Sequence, residues 1–288
     1  MTAVRDEPDQ RTRRRELSAP SARSLLLTVL GEFVLPGAAP VWTQVLLDVL
    51  GALGVEPKSA RQALARTAAE GLLYSERSGR RVSWSLTEEG RQLLTEGAER
   101  IYGFGTADGD WDGRWLVLLV SIPETHRQLR HRLRSRLAWA GMGSPAPGVW
   151  LSPHPDKQRE VARVIDELAL HEVSFSFVGP YGVIGEQREL VRQAWDLAEV
   201  EADYREFVAE FADLGPDAGP RTADEMLTAQ IRLVHAWRRF PFLDPRLPAE
   251  LLPGAWAGTE ARDLFRDRHE RWGPPARARW AQLVTDRS

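Results

Sequence analysis

From Ser21 onward hydrophobic residues recur at three- and four-residue spacing. Leu25, Leu26, Val29, Leu30 and Phe33 share one face, and Pro36-Gly37 ends the run. This predicts a first amphipathic helix. Val41 to Leu53 repeats the pattern, with Trp42, Val45, Leu46, Val49 and Leu50 as the stripe and Gly54 as the stop. After the turn Gly54-Val55-Glu56-Pro57, the stretch Lys58 to Gly71 turns Ala60, Leu64, Thr67 and Ala68 to one side. Arg61, Gln62, Ala65 and Arg66 face away. The period then falls from 3.6 to 2: residues 72–77 and 81–86 alternate around Ser78-Gly79-Arg80, a glycine-containing hairpin. Thr87-Glu88-Glu89-Gly90 restarts a helix that runs to about Tyr102. Three helices followed by a hairpin predict a winged helix-turn-helix over residues 21–103.

A Gly/Asp-rich break from Gly103 to Gly113 separates this region from a different pattern. Residues 114–122 form a nearly continuous apolar strand, 124–140 a helix, 149–152 a short strand, 156–170 a helix and 173–178 a strand. With a further short strand in 141–146 the order is βαββαβ, a ferredoxin-like domain over 111–182. From Glu186 to Ser288 only helical periodicity remains, interrupted at 215–220, 241–248 and 273–275, which predicts a helical C-terminal domain over 186–288. Residues 1–20 are polar, rich in both charges and aperiodic, and read as a disordered tail. The fold class is α+β.

Composition changes this picture little. The 288 residues carry a net charge of -3, which alone argues against a nucleic-acid partner. The sum hides a local excess: between Lys58 and Arg81 stand six cations and only two carboxylates, Glu70 and Glu76. With no cysteine there are no disulfides or thiolate ligands, and the six histidines lack metal-ligand spacing, so no cofactor is expected. The longest apolar run, Trp115 to Val120, is strand-sized, and the N-terminus has no apolar signal core. A cytoplasmic protein without membrane contact is the expectation.

The candidate chemistry lies on the third helix and the hairpin. Arg reads guanine through O6 and N7, and Gln reads adenine through N6 and N7, which makes Arg61 and Gln62 candidate base readers, with Arg66 on the same face. Lys58 and Ser59 open the helix, where cation, hydroxyl and backbone N–H groups hold phosphate. Arg77, Arg80 and Arg81 flank Gly79 and can approach a phosphate or the minor groove. Arginines on an exposed hairpin are also commonly just solvated, and protein-binding winged helices share the pattern. Helix 124–140 carries Arg127, Arg130, Arg132, Arg134 and Arg136 with His126 and His131 around the stripe Leu129, Leu133, Leu137. It reads as a solvated face, or as one that binds a partner subunit or extra DNA phosphates. Trp111 and Trp115 read as structural anchors.

Five blocks carry a resemblance. They are Ser59-Ala60-Arg61-Gln62-Ala63-Leu64-Ala65-Arg66 with Gly79-Arg80-Arg81, then Trp111-Asp112-Gly113-Arg114-Trp115, then Gly148-Val149-Trp150-Leu151-Ser152-Pro153. Further on come Leu233-Val234-His235-Ala236-Trp237-Arg238-Arg239-Phe240 and Asp244-Pro245-Arg246-Leu247-Pro248-Ala249-Glu250-Leu251-Leu252-Pro253. In this order they resemble the PaaX family of regulators, best known as repressors of phenylacetate degradation. The resemblance implies a homodimer on a double-stranded DNA operator, with a Cas2-like middle domain and phenylacetyl-CoA or another acyl-CoA as effector. A family member that serves another pathway with another effector is the alternative it leaves open.

A CoA ester carries phosphates suited to Arg and an adenine suited to aromatic stacking, which makes His235, Trp237, Arg238 and Arg239 candidate effector contacts. Against this, Trp237 follows Val234 on an apolar face, and cations in a last helical turn meet the dipole favourably. A Cas2-like domain also raises a metal-dependent nuclease, which needs a carboxylate at the end of its first strand. Here Ser121-Ile122-Pro123-Glu124 stand there, and Glu124, beyond a proline, is better placed to cap a helix. No phosphate loop or nucleophile elbow occurs, so the chain is expected not to be an enzyme.

Overall fold

The computed structural model describes residues 21–37, 39–105, 110–212 and 222–286. The tail expected over 1–20 and the break expected at 215–220 lie outside them. The described residues fall into two compact units: the first holds 21–105 with residues of 204–239 and 258–286, and the second holds 110–203 with 240–257. The helical segments after residue 186 are thus shared between the units.

In the first unit, α1 (Ala22–Val29) starts at Ser21, whose hydroxyl accepts from the Ser24 amide at 3.0 Å while Ser24 returns the bond to the Ser21 amide. Such a capping box is worth about 1 kcal/mol. The helix continues through a π-helical turn, Leu30–Val34, into Leu35–Gly37. The wider turn lets Leu30, Glu32, Phe33 and Val34 all be buried, more than one face of a regular helix holds. Helix α2 (Thr43–Ala52) and helix α3 (Pro57–Ala69) pack with α1 around Leu26, Val29, Leu46, Leu50 and Leu64.

Strand β2 (Leu73–Ser78) and strand β3 (Arg81–Leu86) make the hairpin, closed by the pair Ser78 and Arg81 around Gly79-Arg80. Gly79 sits at φ +61°, the positive dihedral that a two-residue hairpin loop requires. One expectation is corrected here. Val41 and Trp42 are not the start of the second helix but a short strand, β1, paired with Trp84 and Ser83 of β3. Thr43 decides the matter: its hydroxyl donates to Val82 O and accepts from Trp84 Nε1, both at 2.9 Å, holding the chain in the sheet until α2 begins. Helix α4 (Glu88–Tyr102) follows, capped by Thr87.

The second unit contains the four-stranded antiparallel sheet. Its strands β4 (Arg114–Val120), β5 (Gly143–Ala146), β6 (Val149–Ser152) and β7 (Ser174–Pro180) lie in the order β5-β6-β4-β7. Helices α5 (Arg127–Trp139) and α6 (Gln158–Glu167) complete the expected ferredoxin-like βαββαβ chain, including the short strand expected in 141–146. Leu133, Leu137, Val161 and Ile165 share a core with Leu116, Leu118, Val120 and Trp150. Glu124 does not cap α5: a turn closed by His126 N and Pro123 O at 3.0 Å intervenes, and the N-cap residue is His126, without a side-chain cap bond. Helix α7 (Gln187–Ala194) packs on β5.

Helix α8 (Leu197–Ala212) gives Tyr204, Phe207 and Phe211 to the core of the first unit, joined by α9 (Ala223–Trp237) and α10 (Ala257–Thr285). The interruption expected at 273–275 does not occur: α10 runs straight through Pro274 and Pro275. Each interior proline costs about 3 kcal/mol. Burial of Phe265 and Trp272 before the prolines and Ala276 and Trp280 after them offsets this, at about 2 to 3 kcal/mol per large side chain. Trp280 stacks on Phe33 at 5.3 Å.

Near that contact lies a buried carboxylate. Glu32 accepts hydrogen bonds from Gln230 Nε2 at 2.7 Å and from the Tyr102 hydroxyl, and His269 Nε2 lies 3.3 Å away. Removing the carboxylate leaves the fully buried Gln230 amide and the Tyr102 hydroxyl without an acceptor. Glu32→Ala is expected to destabilise the first unit by about 3 kcal/mol. Urea unfolding followed by tryptophan fluorescence measures this, and a loss under about 1 kcal/mol means that water or a rotated side chain replaces the network.

Candidate nucleic-acid interface

Helix α3 is built to be seen from one side. Pro57 occupies its first turn, where the missing N–H costs nothing, and Ala60, Ala63, Leu64 and Thr67 are buried against the rest of the unit. Lys58, Ser59, Arg61, Gln62, Ala65 and Arg66 are exposed. Residues 58, 62 and 66 follow one another at four-residue steps, with 61 and 65 beside them, so they form one face. Ala65 in its middle adds no bulk. Among the described residues, Lys58, Arg61, Gln62, Arg66 and Arg80 have no side-chain hydrogen bond or ion pair. The carboxylate at the end of the helix, Glu70, is held by Arg23. The donors on this face are therefore available to an external acceptor.

The wing residues are equally exposed but differently held. Arg77 Nε donates to Gly79 O at 3.1 Å, folding this side chain over the hairpin tip. Arg81 lies with Cζ 5.7 Å from the centre of the Trp42 ring. Arg80 projects from the tip. The role of Trp42 as a platform for Arg81 was missed in the sequence because it depends on β1, a two-residue strand too short to leave a periodic signal. Tyr74 on β2, 47 % exposed, was also missed, hidden inside an alternating strand pattern. The structure brings all eight sequence-selected residues to one compact stretch of the fold, helix α3 and its following hairpin.

The four C-terminal candidates are elsewhere and mostly enclosed. Trp237, 1 % exposed, stacks on Phe265 at 4.6 Å and packs against Phe207 and Phe104. Arg239 pairs with Glu206 at 3.5 Å. Arg238 Nε donates to His235 Nδ1 at 3.3 Å, and the Thr28 hydroxyl lies 3.0 Å from the same nitrogen. Burial, and then the charges of Arg238 and Arg239, press the His235 pKa down to about 3, so the imidazole is neutral. In this arrangement the residues join α9 to α1 and close the aromatic core. Among the described residues, no group of three or more His, Asp or Glu is placed to hold a metal ion, and no helix is long and apolar enough to cross a membrane.

Three family models match the chain in succession: PaaX-like protein over residues 21–90, the PaaX protein central Cas2-like domain over 108–191, and the PaaX-like protein C-terminal domain over 195–282. The transcriptional repressor PaaX of Escherichia coli is 31% identical over 265 residues, covering 90% of this chain and 82% of that protein. The chain belongs to the PaaX family. A solved structure, the uncharacterized protein Rv0674 from Mycobacterium tuberculosis, matches with a TM-score of 0.58 and 23% identity over 90% of this chain and 98% of that one. That likeness bears on the fold of this PaaX family member alone.

The neutral His235 makes the α1–α9 contact of this PaaX family protein acid-sensitive. Its folded pKa of about 3 lies below the ordinary 6.5, so the unfolded chain takes up the proton first as pH falls. Stability is complete above pH 6.5 and declines below it, by at most about 1.4 kcal/mol per pH unit. Glu32 acts lower: burial raises its pKa, but the bonds from His269, Tyr102 and Gln230 outweigh this and bring it below 4.5, so its loss comes at stronger acid. His154 in the second unit is also depressed, by burial above all, and shares the upper window, so the variant difference isolates His235. Between pH 7.5 and 5 the wild type is expected to lose about 1 to 2 kcal/mol more than His235→Gln in urea titrations. Parallel losses in the two proteins count against a neutral, buried imidazole.

Proposed function

We propose that this PaaX family member is a DNA-binding transcriptional repressor that acts as a homodimer on a roughly palindromic operator. The observation that carries the reading is the α3 face, where Lys58, Arg61, Gln62 and Arg66 stand exposed with no partner among the described residues, next to the basic wing. Such donors suit phosphate and base edges, and a major groove admits one helix of this size. Twofold symmetry would place two such helices on half-sites about one helical turn apart. The similarity to the transcriptional repressor PaaX supports a regulatory role. The pathway we propose is phenylacetate or related aromatic-acid catabolism, with phenylacetyl-CoA or another acyl-CoA as the releasing effector. Release follows by linkage if the effector prefers a conformation with misplaced reading helices.

Within this reading the eight DNA-facing residues divide by role. Arg61 and Gln62 discriminate sequence, Lys58, Ser59 and Arg66 hold phosphate beside them, and Arg77, Arg80 and Arg81 carry the wing contact. Arg61→Ala or Gln62→Ala should cost about 1 to 3 kcal/mol at the operator and much less at random DNA. Lys58→Ala or Arg80→Ala should weaken both alike and lower the salt slope of log K by about one. Mobility shifts on the DNA upstream of the protein's own gene, at several salt concentrations and with or without phenylacetyl-CoA, measure all of this. Absence of any salt-sensitive, sequence-selective complex refutes DNA reading. A complex indifferent to a series of acyl-CoA esters refutes only the effector.

A further inference from the structure

The second unit contains a cleft of about 750 Å³ between α5 and the β5–β6 turn, a volume suited to a small molecule. One wall is basic. Arg127, Arg130 and Arg134 succeed one another at three- and four-residue steps, so they lie on one helical face, with His131 beside them. The opposite wall is a turn of small residues, Ser144 to Gly148. Gly148 is required there: it sits at φ +77°, and a Cβ would come 2.7 Å from Val120 O. Val120, Leu133 and Trp150 supply apolar surface between the walls.

Three features set this face apart from an ordinary solvated one. Helix α5 has five arginines and no carboxylate in thirteen residues, whereas solvated faces usually mix both signs. One carboxylate, Glu124, lines the cleft; it lies 3.9 Å from Arg130 and is itself 94% exposed, which leaves Arg127 and Arg134 uncompensated among the described residues. Two of the arginines also stand in the first turns of the helix, where the dipole disfavours cations. An anion in the cleft answers all three. Guanidinium forks spaced along one wall match a ligand with more than one phosphate, since each fork takes two phosphate oxygens. A cleft of about 750 Å³ matches the size of a small-molecule ligand rather than that of a DNA duplex.

We propose that this cleft binds a small molecule bearing at least two phosphate groups and an apolar arm, and that it is the effector site of this protein. The effector role rests on the repressor reading above; the binding itself does not. The test uses the full chain without DNA, titrated calorimetrically with coenzyme A, inorganic pyrophosphate and a random 20-base-pair duplex. Coenzyme A should bind one molecule per chain, more tightly than pyrophosphate. Arg127→Ala/Arg134→Ala should weaken it about 100-fold, two charge-assisted contacts being lost. Arg163→Ala, on exposed α6 surface away from the cleft, should not. Circular dichroism confirms that the double variant is folded. The proposal is overturned if coenzyme A and pyrophosphate both fail to bind, if the double variant binds them as the wild type does, or if only the duplex loses affinity. In mobility shifts the double variant should keep operator binding yet resist release by an acyl-CoA. If no operator complex forms with either protein, the repressor reading fails while the calorimetry still decides the cleft.

Discussion

A charged carboxylate out of water is the constraint around which the first unit is organised. Glu32 is buried in the π-helical turn that follows α1, and burial alone favours its neutral form. Its pKa nonetheless lies below the usual value, because Gln230, Tyr102 and His269 converge on the two oxygens. Those partners come from α9, α4 and α10, so satisfying one side chain of the winged helix draws on two helices, α9 and α10, that lie about 200 residues or more further along the chain. The winged helix is therefore incomplete without them. Trp280 stacking on Phe33 and His235 against Thr28 add apolar and polar contacts to the same junction. A polar network of this kind fixes one arrangement of helices where hydrophobic packing alone would tolerate several.

The consequence reaches helix α3 through packing. Helix α3 buries only small or slender residues, Ala60, Ala63, Leu64 and Thr67, so it lies close against its neighbours and its outward face follows their position. Helix α1 is one of those neighbours and also carries Thr28, which meets His235 of α9. The hairpin is fastened through Thr43, Val82 and Trp84, and its first strand packs directly on α3. Helix α3 and hairpin thus share one core, with Leu73 and Leu86 beside Ala60 and Leu64, so their exposed faces are held in a fixed relation to each other.

Periodicity made most of this fold legible. The 3.6-residue stripes of α1 and α3 depend on one face buried locally, and the apolar run of β4 on a strand buried along most of its length, so each is legible in its own residues. The exposed face of α3 was legible for the same reason, since what is not needed for the core is what remains outside. Features decided by distant partners were not. Val41 and Trp42 look like a helix start until β3 offers them a sheet edge. Pro274 and Pro275 look like a break until aromatic residues on both sides hold the helix to a core. Glu32 carries no local signal at all, since its partners Gln230 and His269 stand far along the chain. Trp237 and its arginines offer both a ligand contact and, more strongly, a core position, because an aromatic residue on an apolar face has the same sequence signature in both roles.

Helix α3 and the cleft beside α5 lie in different compact units, and under the proposed function this shapes what regulation demands. A ligand changes DNA affinity only by as much as it distinguishes the DNA-competent conformation from another, about 1.4 kcal/mol for each tenfold of release, and DNA must weaken the ligand by the same factor. The units are not beads on one linker: the chain leaves and re-enters the first unit between residues 105 and 110, at 203–204, 239–240 and 257–258. Tyr204 and Trp237, each close to one of these crossings, belong to the aromatic core that Phe265 completes. That core and α9, which carries both Gln230 and His235, therefore stand next to crossings in the chain. The same helix that satisfies Glu32 is thus covalently next to the second unit and meets α1 through His235 and Thr28.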